Sequence, residues 1–297
     1  MSAHRKNKNI LQRVLLPVLI ILVGVGVLAY PVIATQWNNG VQRSVANDYN
    51  ELLESGERLS PEQQSAAVEA AREYNRSREG VSVADPWVST GHEDGPEYQS
   101  YLEQLSGLPA MAQVVIPSID VNLPLYHGTS SATLERGLGH LFGTDLPVGG
   151  EGTHAVVTGH TGLTDATLLD NLVDVKVGDA VYVNVFGEKL KYEVHDTQVV
   201  LPDQTDSLRP QEGQDLLTLI TCTPYGVNTH RLLVHAHRVP LDPSEESIFE
   251  DAGWGIQWWM WALGAIVLLV LAGLVWWILR ERKKGRDVEV GSGKPHR

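Results

Sequence analysis

Residues Thr218–Arg231 read TLITCTPYGVNTHR, and their reading decides the fold. They include Cys222, the only cysteine in the chain. An apolar run, 216–220, leads in, and Pro224, Gly226 and Asn228 break it. Arg231 then opens a second apolar run, 232–236. The pattern predicts strand, loop, strand, with Cys222 ending the first strand and Arg231 starting the second. If the strands pair as an antiparallel hairpin, a thiol and a guanidinium meet at one end of a sheet.

Outward from this hairpin, short β-type runs alternate with turn signals from Pro109 to Pro240. They cover 112–116, 123–126, 154–158, 180–185, 189–194, 199–201, 216–220 and 232–237. This spacing predicts a mainly β domain, a sandwich or a closed barrel, with one short helix near 166–172. Upstream, 37–53 repeats Val41, Val45, Tyr49 and Leu52 or Leu53 at helical spacing. A second helix is expected over 59–78. Ser60 caps it, Pro61 suits its first position and Gln63 completes a capping box. Its alanine-rich middle and charged face assign it to the surface. A third, 97–106, sets Tyr98, Leu102 and Leu105 in register. Between the second and third lies a loop, 80–96, carrying Asp85-Pro86-Trp87. It can be read as an ordinary Asp-Pro turn, but an exposed loop seldom carries so large an aromatic without a place to put it.

Both ends carry uncharged apolar runs, 14–34 and 258–279. At 1.5 Å per residue each crosses ~30 Å of hydrocarbon. Trp258, Trp259, Trp261, Trp276 and Trp277 lie near the edges of the second, as in an aromatic belt. Arg5, Lys6, Lys8 and Arg13 precede the first run; Arg280, Arg282, Lys283, Lys284 and Arg286 follow the second. The positive-inside rule puts both termini in the cytoplasm and the middle outside. The expected organisation is a tail (1–13), a transmembrane helix (14–34), a helical region (35–108) containing the loop, a β domain (109–241), a linker (242–257), a second transmembrane helix (258–279) and a basic tail (280–297). A cleaved signal peptide is the competing reading of the first run, with Val32 and Ala34 ahead of Thr35, and it exports the middle equally. The net charge of −13 argues against nucleic-acid binding.

An exported domain with one cysteine holds no internal disulfide. Cys222 is then either a small buried hydrophobe or a reactive thiol. A thiol near its reference pKa of ~8.5 is only slightly ionised at neutral pH and needs a helper, usually histidine. The candidates are His92, His127, His140, His154, His160, His195, His230, His235 and His237. His160 has the best context, in TGHTGL directly after a predicted strand. His235 and His237 share a strand face with Arg231 and could equally be metal ligands, but no partner cluster has ligand spacing, and no metal is expected. His127 and His154 read as packed or solvent-exposed. Arg231 is a surface charge, a structural ion pair or an electrophilic donor.

The run TLITC, with Arg231 downstream and TGH upstream, resembles the active-site signature of the sortases. The longer stretch CTPYGVNTHRLLVHAHR is similar to class C, the pilus-assembling sortases. The likeness covers nearly all of 111–240, including IPSIDVNLPLYHGTS, GLGHL, LPVGGEGTHAVVTGHTGL and NLVDVKVGD. It implies an eight-stranded sortase-type β-barrel; the N-terminal helices ahead of it are read from the residues alone, since 35–77 carries no motif, and two membrane anchors flanking the domain also fit class C. It also implies Cys222 as nucleophile, His160 as general acid and base, and Arg231 as stabiliser of substrate and oxyanion. Asp85, Pro86 and Trp87 resemble the class C lid, in which the acidic residue pairs with the arginine and the aromatic covers the cysteine. The implied reaction joins an LPxTG-like sorting signal of a secreted pilin to a lysine of the next subunit. It takes place on the surface of a Gram-positive cell and needs no cofactor. The alternatives are a wall-anchoring sortase using a peptidoglycan amine, a thiol peptidase that hydrolyses the intermediate, and a non-catalytic surface protein. Against the last, no LPxTG precedes the C-terminal apolar run.

Overall fold

The computed structural model describes residues 15–78, 85, 95–250 and 257–291. The chain divides into two units, Met1–Gln36 with Ile256–Arg297, and Trp37–Gly255.

The first unit supplies apolar helix. Helix α1, Leu16–Ser55, begins in it and has Pro31 inside. The composition boundary at 34 is therefore not a helix end: nothing in IATQWNN ends the hydrogen-bonded ladder. The C-terminal helix runs Trp258–Gly291. Leu16–Ser55 and Trp259–Arg280 are both long and apolar enough to cross a membrane.

The second unit is a closed barrel of eight strands. These are β1 (Ala112–Ile116), β2 (Val121–His127), β3 (Leu138–His140), β4 (Thr153–Thr158), β5 (Ala180–Val185), β6 (Glu188–Val200), β7 (Asp215–Thr223) and β8 (His230–Val239). Around the barrel they run β1-β2-β3-β4-β7-β8-β6-β5. The pairs β2–β3 and β4–β7 are parallel; the rest are antiparallel. Closure removes the sheet edges. Val114, Ile116, Leu125, Val183, Leu217 and Val234 are fully buried in the main apolar core.

Two strands differ from the expected pattern. The runs 189–194 and 199–201 form one strand, β6, whose pairing with β8 shifts register between Val194 and Asp196. The bulge interrupts the alternation that marks a strand. β3 has only three residues, one of them glycine, and leaves too little pattern to detect.

Helix α2, Pro61–Ser77, carries the expected box: Ser60 accepts from Gln63 N, and the Gln63 side chain accepts from Ser60 N. It is not simply a surface helix, because Val68 and Ala71 pack into the barrel core. Gln64 donates to the backbone oxygens of Leu53 and Leu59, tying the helix to the end of α1. Helix α3, Pro96–Glu103, buries Tyr101. Tyr98 and Leu102 pack more loosely at its sides. The stretch after Pro240, expected as a polar linker, forms a 3-10 segment, Pro243–Phe249. Phe249 is buried there against Val115 and Tyr182. The expected short helix near 166–172 is a 3-10 turn, Asp170–Asp174.

Candidate active site

Cys222 lies near the end of β7 and pairs across the ladder with Arg231 on β8. Directly opposed residues of an antiparallel pair project from the same face. On the other side of β7 runs β4, parallel and in unbroken register from Thr153↔Asp215 to Thr158↔Ile220. Gly159 N donates to Ile220 O at 3.1 Å, extending that pairing past the strand end. Carried one residue further, the register brings His160 level with Cys222. Sulfur, imidazole and guanidinium thus come from three adjacent strand ends at one rim of the barrel.

Local chemistry shapes this rim. A Cβ on Gly159 would lie 2.7 to 2.9 Å from the side chains of Leu138 and Leu169, so any other residue before His160 would force those leucines to move. Gly162, at φ +80°, sits against the backbone of Gly226 in the loop after Cys222. Thr221, next to Cys222, donates from Oγ1 to Gly159 O at 2.8 Å. Thr158 Oγ1 donates to Ile220 O at 3.1 Å. Backbone and side chain together lock the turn bearing His160 to the strand bearing the thiol.

Arg231 and Asp85 form a two-pronged ion pair. Nε donates to Oδ1 at 3.0 Å and Nη2 to Oδ2 at 2.6 Å. Both residues are 9% exposed. Nη1 donates to the backbone oxygens of Asn228 and His230. Pro86 and Trp87 lie outside the described residues.

Burial pushes the Cys222 thiol up; the Arg231 charge pulls it down, and the Asp85 carboxylate pushes it up again. Burial pulls His160 down, opposed by the charge of Glu135. At neutral pH both directions favour an uncharged thiol beside an uncharged imidazole.

The other histidines have other settings. His140 is fully buried, with Nε2 on Asp145 O at 2.8 Å and Nδ1 on the Tyr101 hydroxyl at 3.0 Å. His127 bonds Gln104 O through Nε2. His154 and His235 share the Thr218 hydroxyl, each at 2.7 Å, and His195 packs near His235 on a band of the barrel wall. His230 bonds the Thr229 hydroxyl. His92 lies outside the described residues. Among the described residues no three His, Cys, Asp or Glu side chains are arranged to hold a metal ion. A cavity of about 580 Å³ is lined by Arg72, Glu188, Asp215, His237 and Arg238. Asp215 begins β7 and Cys222 lies near its end, so this cavity is at the opposite end of the strand from the thiol.

Sequence reasoning overlooked the braces around His160. The TLxTC pattern includes Thr221 but gives no hint that its hydroxyl reaches Gly159.

A sortase domain model matches residues 114–239. Among solved structures, sortase C-1 from Actinomyces oris is 56% identical, covering 60% of this chain and 99% of that one, with a TM-score of 0.58. Sortase A from Corynebacterium diphtheriae is 52% identical, covering 70% and 98%, with a TM-score of 0.61; a lid mutant of that protein is also similar. A curated relative, sortase A of Streptococcus agalactiae, is 30% identical over 43% of this chain and 53% of its own length. The chain thus spans about half the length of the curated relatives it matches. The match to nearly the whole of two solved sortases, at more than half identity, settles the family: this chain is a member of the sortases, which are cysteine transpeptidases.

Proposed function

We propose that this protein is a membrane-anchored class C sortase that polymerises pilin subunits. The reading puts both termini in the cytoplasm and the barrel outside, supported by the basic residues beyond each apolar run. The single observation that supports the chemistry is the strand register that sets His160, Cys222 and Arg231 on neighbouring strand ends, with Asp85 on the arginine.

The reaction begins when the Cys222 thiolate attacks the Thr–Gly carbonyl of an LPxTG-like signal. The carbonyl π electrons move to oxygen, and Arg231 stabilises the resulting oxyanion. His160, as imidazolium, gives its proton to the glycine nitrogen; the C–N bond breaks and a thioester remains. The neutral ε-amine of a pilin lysine then attacks the thioester, His160 takes its proton, and the thiolate leaves. The product is an isopeptide bond. The thioester conserves the energy of the cleaved peptide bond, so no cofactor is required.

With the pair closed, the Nε–Nη2 edge of Arg231 is taken by Asp85 and is unavailable to an oxyanion. We read Asp85-Pro86-Trp87 as a lid that must leave before substrate enters. The test incubates the full chain in detergent with an LPxTG peptide, with and without a lysine-bearing acceptor peptide. Amine-dependent isopeptide product supports the reading. Hydrolysed peptide alone, unchanged by the acceptor, overturns it, and product formed only with a peptidoglycan amine reassigns the acceptor to the wall.

A further inference from the structure

The turn carrying His160 is held on its far side by a chain of hydrogen bonds that starts in helix α1. Asn39 is buried. Its Nδ2 donates to Thr167 Oγ1 at 2.8 Å, and its Oδ1 accepts from Thr167 N at 3.0 Å. Thr167 O in turn accepts from Asp170 N at 2.9 Å. Asp170 then reaches back to the turn: Oδ1 accepts from Thr161 Oγ1 at 3.0 Å and from Gly162 N at 2.7 Å. Leu169 N donates to the backbone oxygen of His160 itself at 3.1 Å. The two residues after His160 therefore hang on one carboxylate oxygen. That carboxylate's backbone is fixed by Thr167, which Asn39 grips from both sides.

We propose that Asp170 and Asn39 are positioning residues for His160, transmitting the placement of helix α1 to the general acid and base. The inference rests on the role given to His160 above. A carboxylate that accepts a backbone N–H and a hydroxyl at once fixes both position and orientation of a turn. Losing it leaves the part-buried Gly162 N–H without its partner, and on that side only the Leu169 N–H still holds the turn. A displacement of about 1 Å at a catalytic group is enough to slow turnover ~100-fold while leaving substrate affinity alone. Asparagine at 170 retains an acceptor oxygen at the same place, so the arrangement requires geometry there, not charge.

The test compares Asp170→Ala, Asp170→Asn, Asn39→Ala and His160→Ala in the full chain in detergent, with folding checked by circular dichroism. The expected result for Asp170→Ala is a fall in kcat of about 10- to 100-fold, with KM within about twofold of wild type. Asp170→Asn should recover most of that loss, and Asn39→Ala should lower kcat by a few-fold, also without moving KM. Wild-type kcat in Asp170→Ala overturns the proposal, as does equal loss in the Ala and Asn variants. If Asp170→Ala does not fold, Asp170→Asn and Asn39→Ala decide: a large kcat loss in the first or none in the second overturns it. His160→Ala separates the two readings. Full turnover there rejects the role of His160 itself, whereas no turnover there with normal Asp170→Ala and Asn39→Ala rejects only the positioning.

Discussion

His140 and His160 stand in nearly the same local company, LGHLF and TGHTG. His140 belongs to a three-residue strand inside the barrel wall, with Tyr101 on one nitrogen and a backbone oxygen on the other. Burial pulls its pKa down to about 3, so it stays neutral across the physiological range. His160 follows the end of a strand, half-exposed, in a turn held from below by β7 and from the side by Asp170. A histidine with both ring nitrogens used inside a wall is a structural part. One in a half-buried turn at a rim is placed where proton transfer to a substrate is proposed. The comparison shows that glycine beside histidine marks close packing in both places, and the proposed chemistry falls to only one.

The sharpest way to break this comparison is substitution. His160→Ala should reduce transpeptidation by about 1,000-fold or more while leaving the unfolding free energy nearly unchanged. His140→Ala should do the reverse, costing about 3 kcal/mol in a urea melt while the folded fraction turns over normally. Equal activity losses in the two variants would erase the distinction.

Acid sharpens it further. The unfolded His140 imidazole titrates near 6.5 and the folded one at about 3, so the unfolded state takes up the proton first. Stability is intact above pH ~6.5 and falls as pH drops toward 3, by up to about 1.4 kcal/mol per unit from this group. Urea melts between pH 7 and 4.5 should show the decline, and His140→Gln should flatten it.

The rim has its own pH signature. With the thiol raised and His160 lowered, the proposed active thiolate–imidazolium pair is scarce, and kcat/KM should be flat between an acid limb below the ordinary imidazole range and an alkaline limb above the ordinary thiol range. Asp85→Ala removes the negative charge that pushes Cys222 up and leaves Arg231 to pull it down. The alkaline limb should move to lower pH, and iodoacetamide should label Cys222 several-fold faster than in wild type. Unchanged labelling would remove the lid from the account. The smallest effect is expected far from either histidine: Ser60→Ala removes the cap of α2 and should cost about 1 kcal/mol, with turnover unaltered.

Much of this was legible in the residues. Val114, Val183 and Val234 lie in runs whose strands form nearly where β-type runs between turn signals placed them, and TLITC with Arg231 predicted the hairpin that pairs Cys222 with Arg231. Other features were not legible because their signal is tertiary. The helical register picked out Tyr98 with Leu102 and Leu105, and Tyr101 gained its meaning only when the barrel supplied His140 and Gly128 as partners for its hydroxyl. Phe249 sat among serines and glutamates that read as linker, and only the wall at Val115 and Tyr182 gives it a place to bury. Asn39 and Asp170 are common surface residue types whose meaning depends on a loop that folds between them.

The central claim, that sulfur and imidazole at one rim carry out acyl transfer, is tested most directly by intact-mass measurement of the full chain after brief exposure to an LPxTG peptide without acceptor. The account predicts an added acyl mass that maps to Cys222 and disappears when a lysine peptide is added. In His160→Ala that adduct should form only slowly. An enzyme that turns over the peptide with no adduct at Cys222, or that does so equally well as Cys222→Ala, would contradict it.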